Sequence, residues 1–185
     1  MRILVTGGAG FIGGHLAERF VADGHDVVVL DNFDPFYNTR IKEHTVEVCR
    51  ERADEGDGTY RLVEGDVRDA DLVTDLVNDA DYVYHQAAQA GVRPSVQNPR
   101  KYDDVNVNGT LNVLDAARDT GIERVVLASS SSVYGKPEYL PYDESHPTTP
   151  VSPYGASKLA AERYACAYSE VYDLPAVALR SFTGY

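Results

Sequence analysis

The sequence predicts a three-layer α/β domain, in which a doubly wound parallel sheet of six strands carries helices on both faces. Apolar runs and helical patterns alternate along all 185 residues, as they do in parallel sheets built from strand–helix–strand units. A glycine-rich turn follows the first apolar run, and an aspartate ends the second one. The length suits a single domain with a sizeable core.

The individual elements follow from the hydrophobic periodicity. Continuous apolar runs such as Ile3-Leu4-Val5 are typical of strands that a parallel sheet buries on both faces. Strands are expected at residues 2–6, 26–30, 59–64, 81–85, 123–129 and 175–181. Helices are expected at residues 11–23, 69–78, 99–120 and 153–172.

Two longer connections interrupt the alternation. The insertion at residues 34–58 is expected to contain a short helix near 41–53, followed by a flexible acidic and glycine-rich turn. The stretch 135–151 carries four prolines and two tyrosines. Because long loops in compact domains are usually functional, this loop is expected to form a wall of the active site.

The turn after the first strand predicts a dinucleotide site. It reads Thr6-Gly7-Gly8-Ala9-Gly10-Phe11-Ile12-Gly13, and glycines at 7, 10 and 13 allow a tight turn and close approach to a pyrophosphate. The helix that follows offers its N-terminal amides to the phosphates. This arrangement predicts the Rossmann fold, with its strand order 3-2-1-4-5-6.

The second strand ends at Asp31, 18 residues after Gly13, close to the spacing expected for the acid that binds the adenosine ribose. No basic residue follows Asp31 directly, and a carboxylate there would repel a 2′-phosphate, which favours NAD as the cofactor. The alternative is a glycine-rich turn with a solvated aspartate.

A second motif, Tyr154-Gly155-Ala156-Ser157-Lys158, places a phenol and an ammonium four residues apart on one helix face. A free tyrosine has a pKa of about 10, and a neighbouring fixed cation favours the phenolate that could act as a base. A serine run at 129–132 lies upstream and could hold a substrate oxygen. The spacing by itself also fits an ordinary solvated helix.

Composition excludes several classes of protein. The net charge of −12 argues against a nucleic-acid partner, since phosphate binding needs clustered Lys and Arg. No apolar run is long enough to span a membrane, no signal peptide is evident, and the two cysteines and five histidines show no metal-ligand spacing. A cytoplasmic location is therefore expected.

Aspartate outnumbers glutamate 18 to 11 and arginine outnumbers lysine 13 to 4. This acidic, lysine-poor composition favours the hypothesis of a halophilic protein, because high salt screens self-repulsion.

Taken together, the motifs resemble the extended short-chain dehydrogenase/reductase family, specifically its NAD-dependent nucleotide-sugar epimerases and dehydratases. The resemblance runs from Met1 to about Thr183. Besides the glycine turn and Tyr154 to Lys158, it rests on three segments, namely Gly65-Asp66-Val67, His85-Gln86-Ala87-Ala88 and Asn106-Val107-Asn108-Gly109-Thr110.

The resemblance implies a role for each matching residue. Ser130, Tyr154 and Lys158 match the catalytic hydroxyl, the catalytic base and its partner on the nicotinamide ribose. Cofactor contacts are implied for Gly7, Gly10, Phe11, Ile12, Gly13, Asp31, Asn32, Asp66, Val67, Ala87, Ala88, Gln89, Asn106, Tyr154 and Lys158. Substrate contacts are implied for Arg93, Ser131, Ser132 and Thr183, although Arg93 is equally consistent with a surface arginine.

The resemblance also favours one reaction. Dehydratases of this kind carry an Asp-Glu pair after the catalytic hydroxyl residue, and decarboxylases usually keep a glutamate there. Ser131 and Ser132 occupy both positions, so neither reaction has its extra acid or base. A UDP-sugar 4-epimerase acting on UDP-glucuronate or UDP-glucose is therefore the favoured interpretation. Another enzyme of the same fold, or an NAD-binding module without turnover, remains the alternative.

The domain organisation is also inferred from the resemblance. Residues 1–185 are expected to form the NAD-binding domain, and the C-terminal substrate domain of the family is absent or truncated. The resemblance further implies a homodimer through helices near 99–120 and 153–172, although both could equally be ordinary helices that cover the sheet.

Overall fold

The structure, a computed structural model, describes residues 1–183 and contains a six-stranded sheet with helices on both faces. The strands are β1 Arg2–Thr6, β2 Asp26–Asp31, β3 Thr59–Glu64, β4 Tyr82–His85, β5 Arg124–Ala128 and β6 Ala176–Leu179. The helices are α1 Phe11–Ala22, α2 Thr39–Glu55, α3 Ala70–Asn78, α4 Val92–Gln97, α5 Pro99–Asp103, α6 Gly109–Arg118 and α7 Pro153–Tyr172.

All pairings in the sheet are parallel, and the strand order is β3-β2-β1-β4-β5-β6. The predicted fold class and strand order are therefore confirmed. β1 lies at the point where the order reverses, since Ile3 pairs with Val27 of β2 on one side and with Tyr82 of β4 on the other. Ligands of such sheets bind outside the carboxyl ends of the strands at this reversal.

Side chains of the strands divide the core into two layers, because successive residues of a strand point to opposite faces. Leu4 faces a large cluster that α3, α6 and α7 help to build. Ile3 and Val5 face a smaller cluster, which includes Val21 of α1 and Cys49 of α2. The buried runs predicted from the sequence are thus the centre of the molecule.

One part of the sheet is not covered by the described residues. On the side of α1 and α2, the strands β4, β5 and β6 leave a surface groove. We call it the open sheet face; its residues are Tyr82, Tyr84, Val126, Val177 and Leu179. Val177 is 38% exposed and Leu179 is 52% exposed, and both belong to β6, the edge strand of the sheet.

The helical regions differ from the expectations in detail. The single helix predicted at 99–120 is α5, a π-helical turn at Asp104–Asn108, and α6. The short α4 was not predicted, because a six-residue helix shows too little periodicity to be recognised. The insertion helix α2 is longer than expected, since Asn38 caps its N-terminus by accepting a hydrogen bond from the amide of Arg40.

The loop at residues 135–151 has little regular structure, as expected, but it does not line the central cleft. It packs its aromatic side chains together instead: the rings of Tyr134 and Tyr142 stack 4.8 Å apart, and His146 is buried beside them. Both tyrosines also contact Phe182, which does line the cleft. The expected active-site wall is therefore a support behind Phe182.

No helix within residues 1–183 has the length and apolarity that crossing a bilayer requires.

Candidate active site

A cleft of about 360 Å³ opens along the carboxyl edge of the sheet at the reversal point, within the size range of small-molecule sites. Most of the residues predicted to bind a cofactor line it. These are Gly7, Gly10, Phe11, Ile12, Gly13, Asp31, Asn32, Val67, Ala87, Ala88, Gln89, Tyr154 and Lys158. One cleft therefore brings together the glycine turn, the acid at the end of β2 and the tyrosine–lysine pair.

The glycine turn requires glycine for its own close packing. Gly7 has a φ of +69°, and a Cβ there would lie 2.6 Å from the backbone nitrogen of Ala87. A Cβ on Gly13 would collide with the carbonyl oxygen of Gly7. α1 begins directly after Gly10, and the start of this helix lines the cleft. A helix N-terminus placed at the cleft fits a pyrophosphate.

Two carboxylates, Asp31 and Asp66, lie at the end of the cleft where the adenosine contacts were predicted. Asp31 is buried and accepts hydrogen bonds from the amides of Ala9 (3.1 Å) and Phe33 (2.9 Å). It also forms a 2.9 Å ion pair with Lys42 of α2, a residue that sequence reasoning missed.

Asp66 lies at the rim of the same end. It accepts hydrogen bonds from the guanidinium of Arg68 and from the side-chain amide of Asn32, at 2.8 to 2.9 Å. Bonding to Arg68 holds the pKa of the Asp66 carboxyl far below its ordinary value. Asp66 is therefore a fixed anion next to Val67, beside the cleft where the adenine contact was predicted.

The other end of the cleft is built on the first turns of α7. Ser152 caps this helix, accepting a 3.0 Å hydrogen bond from the amide of Gly155, and Pro153 occupies its first turn. Tyr154 is half-buried with its ring edge-on to Tyr102, at a centroid distance of 6.2 Å. Lys158 lies one turn further along the helix and is only 4% exposed.

Lys158 has no ion-pair partner among residues 1–183. Burial lowers its pKa from 10.5 to about 8. The ammonium is thus mostly charged at neutral pH but poorly solvated. Such a group favours a nearby phenolate or a ligand hydroxyl that accepts its hydrogen bond.

Asn106 lies behind the site rather than in the cleft. It sits in the π-helical turn, is 1% exposed, and bonds both the amide and the carbonyl of Gln89. Its amide also donates to the hydroxyl of Ser157, at 2.9 Å. Since Ser157 precedes Lys158, Asn106 fixes the loop after β4 against α7. Local π-turns of this kind are frequent at functional sites.

His85 provides a second buried link under the cleft. Its ring nitrogens lie 2.7 Å from the hydroxyl oxygen of Thr6 and 3.0 Å from that of Thr110. Complete burial lowers the pKa of His85 to about 3, so the ring is neutral at physiological pH. The hydroxyl of Thr6 in turn accepts from the amide of Ala87, which ties the two cofactor loops together.

The predicted catalytic hydroxyl, Ser130, is buried directly after Ser129, which lines the cleft, whereas Ser130 itself does not line it. Its Oγ accepts a 3.2 Å hydrogen bond from the amide of Ser132, which leaves its proton available to a substrate oxygen. Ser130, Ser131 and Ser132 form a short 3₁₀ turn and its cap. The amide of Ser131 is anchored to the carbonyl of Ser181 beyond β6.

A buried ion pair that was not predicted supports this turn. Glu162 of α7 accepts hydrogen bonds from the hydroxyl of Ser129 (2.7 Å) and from the guanidinium of Arg180 (2.6 and 3.0 Å). These contacts join the ends of β5 and β6 to α7. The sequence does not predict these contacts from a short motif, because the three residues lie far apart in the chain, in different parts of the fold.

None of the four predicted substrate residues lines the described cleft. Ser131 and Ser132 lie in the 3₁₀ turn beside it, Arg93 is exposed on α4, and Thr183 is exposed at the end of the described residues. Their assignment as substrate contacts stays a prediction.

Comparison with known proteins identifies the family to which this site belongs. The family model described as GDP-mannose 4,6 dehydratase matches residues 4–185. The chain belongs to this family. The resemblance to nucleotide-sugar epimerases and dehydratases with the short-chain dehydrogenase/reductase fold is thereby confirmed.

Individual relatives include both reaction types. UDP-glucuronate 4-epimerase 2 of Arabidopsis thaliana is 39% identical over 187 residues, which cover 99% of this chain and 42% of that protein. UDP-glucuronic acid 4-epimerase from Bacillus cereus, solved with UDP-glucuronic acid and NAD, superposes with a TM-score of 0.90 at 32% identity, covering 100% of this chain and 57% of that one.

A dTDP-glucose 4,6-dehydratase from Streptomyces venezuelae, solved as a double mutant with NAD bound, superposes with a TM-score of 0.85 at 35% identity and covers 97% of this chain and 55% of that one. Family members of both kinds therefore share the fold, so the fold alone does not select the reaction. The chain spans about half the length of the curated relatives it matches.

Proposed function

We propose that this protein catalyses the NAD-dependent 4-epimerisation of a UDP-sugar, UDP-glucuronate or UDP-glucose, through a transient 4-keto sugar. One observation carries the choice of reaction. Across residues 1–183, the only carboxylates that line the cleft are Asp31 and Asp34, on the segment at the adenosine end. The end with Tyr154 and Lys158 thus has a proton-transfer pair and no additional acid for elimination or decarboxylation.

Glu162 is hydrogen-bonded to Ser129, next to the serine turn, but it is not free to act as an acid or base in elimination or decarboxylation. Its two oxygens are occupied by Arg180 and by the Ser129 hydroxyl, and its pKa is lowered because these bonds outweigh the effect of burial. It therefore stays ionised and turned toward its partners. This supports a reaction that needs only the tyrosine, the lysine and a hydroxyl.

In the proposed mechanism, Tyr154 as phenolate accepts the proton of the sugar 4-hydroxyl, and Ser130 donates a hydrogen bond to the same oxygen. Lys158 lies one helical turn beyond Tyr154, so its buried ammonium is available to the same reacting group. NAD, when bound, supplies a reversible acceptor for the hydride at C4, and is restored when the hydride returns to the other face of the sugar. Tyr154 then returns its proton to the inverted alcohol.

The NAD-binding role is supported by the glycine turn and by Asp31, and the Bacillus cereus relative was solved with NAD. We also propose that residues 1–185 act as the NAD-binding domain. Because these residues span about half the length of the curated relatives, the 185-residue chain by itself is expected to bind NAD weakly or moderately and to epimerise slowly. Rapid turnover of a UDP-sugar by this chain would contradict that expectation.

We propose that two copies of this chain form a homodimer through the outer surface of α7 and the region 99–120. Tyr164, Val171 and Tyr172 on α7 are 42%, 67% and 49% exposed, which is an apolar surface that association would bury. The measurement is the mass in solution by sedimentation equilibrium. A monomer at high concentration would contradict this proposal.

The reaction is tested by NMR of UDP-glucuronate, UDP-glucose and UDP-N-acetylglucosamine after long incubation with protein and NAD. Appearance of the C4 epimer without net NADH is expected, and Tyr154→Phe should abolish it while Tyr164→Phe on the same helix should not. A dehydrated or decarboxylated product, or accumulated NADH, would favour the alternative enzymes of this fold. If the protein binds NAD but converts none of the three UDP-sugars, an NAD-binding module without catalysis would be favoured.

A further inference from the structure

The ion pair between Asp31 and Lys42 changes the expected cofactor discrimination at the adenosine end of the cleft. Lys42 Nζ lies 2.9 Å from Asp31 Oδ1, and the side chains are 9% and 3% exposed. Both residues line the cleft. A carboxylate at the end of the second strand is usually regarded as a lone negative charge that rejects a 2′-phosphate. Here that charge is paired.

The position of Lys42 is well defined by its surroundings. Its ammonium lies 5.9 Å from the ring centroid of Phe33 and 5.7 Å from that of Tyr37, so two aromatic faces surround the cation. Asp31 is fixed equally well by the amides of Ala9 and Phe33. Neither partner can turn away without leaving buried groups unpaired.

The pair still has capacity for a ligand. An ammonium has three N–H donors, and within residues 1–183 Lys42 donates only to Asp31. Asp31 accepts three hydrogen bonds out of about four that a carboxylate can take. A vicinal diol, which offers two donors and two acceptors, matches one remaining acceptor on Asp31 and the remaining donors on Lys42.

We propose that Lys42 is a second anchor of the adenosine ribose and that it weakens discrimination against a 2′-phosphorylated dinucleotide by neutralising Asp31. This inference rests on the dinucleotide binding proposed above, not on the reaction. The position normally occupied by one negative charge carries an Asp–Lys pair with no net charge. A 2′-phosphate meets attraction from the ammonium as well as repulsion from the carboxylate.

The test is the ratio of the dissociation constants of NADP and NAD, measured by calorimetry on the full chain and independent of turnover. Lys42→Met should raise the ratio about tenfold, the effect of one unit charge a few ångströms away in a partly solvated cleft. Asp31→Asn should lower it about tenfold for the same reason. The double variant should return to within about threefold of the wild-type ratio, because both charges are then removed.

The control is Arg40→Met, which removes one positive charge from the same helix at an exposed position that does not line the cleft. It should leave the ratio unchanged. If Lys42→Met weakens both ligands equally, Lys42 is only structural and the proposal is overturned. If Lys42→Met does not fold, Lys42→Gln decides: the ratio must again rise, and an unchanged ratio refutes the proposal. Failure of the wild type to bind either dinucleotide would refute the proposed function instead.

Discussion

Lys158 should make the folded protein less stable than it could be. Its ammonium is buried without an ion-pair partner in residues 1–183, and its pKa falls from 10.5 to about 8. At 1.36 kcal/mol per pH unit, that difference corresponds to a cost of about 3 kcal/mol at neutral pH. Replacing Lys158 by Met keeps most of the apolar stem and removes the charge. We expect Lys158→Met to unfold at a higher temperature, by roughly 6–12 °C for a chain of this size.

The pH dependence identifies the cause. Because the folded state binds the proton less tightly than the unfolded state, the cost is fully present below about pH 8 and declines as the pH rises toward 10.5. The advantage of Lys158→Met over the wild type should therefore fall from about 3 kcal/mol at pH 7 to about 1.4 kcal/mol at pH 9.5.

The assay is urea unfolding of both proteins without cofactor at pH 7 and pH 9.5, and NMR of UDP-sugar turnover is run in parallel. Lys136→Met, which removes an exposed lysine, should change the free energy of unfolding by less than about 0.5 kcal/mol at either pH. The variant at 158 should lose turnover while gaining stability. A Lys158→Met protein that is less stable than the wild type, or a gain in the free energy of unfolding that is equal at both pH values, would show that the wild-type fold compensates the buried charge.

Three further outcomes are expected. Glu162→Gln should destabilise the fold by about 3 kcal/mol, because it leaves a partly buried guanidinium unpaired, whereas Glu170→Gln on the exposed side of α7 should be neutral in the same urea assay. Raising KCl from 0.1 to 2 M should increase the midpoint of thermal unfolding, since a net charge of −12 repels itself less when screened; equal midpoints would reject the halophilic hypothesis. Val171→Gln on the outer surface of α7 should reduce self-association in sedimentation velocity more than Leu140→Gln, although Leu140 is at least as exposed, at 70%; equal effects would mean that the surface of α7 does not associate.

The cofactor turn and the proton-transfer pair could be predicted because each depends on residues close together in the chain. Gly7 needs its positive φ and a close approach to Ala87, and Tyr154 and Lys158 share a helix face by spacing alone. The strand order followed from the glycine turn, because that turn predicts the Rossmann fold. For these features, local backbone geometry and periodicity carry the information.

Helix boundaries could be predicted less well. The π-helical turn that carries Asn106 depends on bonds to Gln89 and Ser157, which are 17 and 51 residues away. The hydrophobic periodicity of residues 99–120 does not depend on such distant contacts. It therefore predicts one continuous helix, whereas the structure has α5, a π-helical turn and α6.

Alternating apolar runs, glycine spacing and the Tyr–Lys pair together determine the fold class, the dinucleotide cleft and the position of Tyr154 beside it. Only the tertiary structure decides which charges in that cleft are paired. Lys42 neutralises Asp31 across two elements, Glu162 is held by Arg180, and Lys158 is left without a partner among the described residues. The reason is physical: hydrogen bonds within a turn or helix depend on neighbours in the chain, whereas ion pairs and solvation depend on which distant elements the fold packs together.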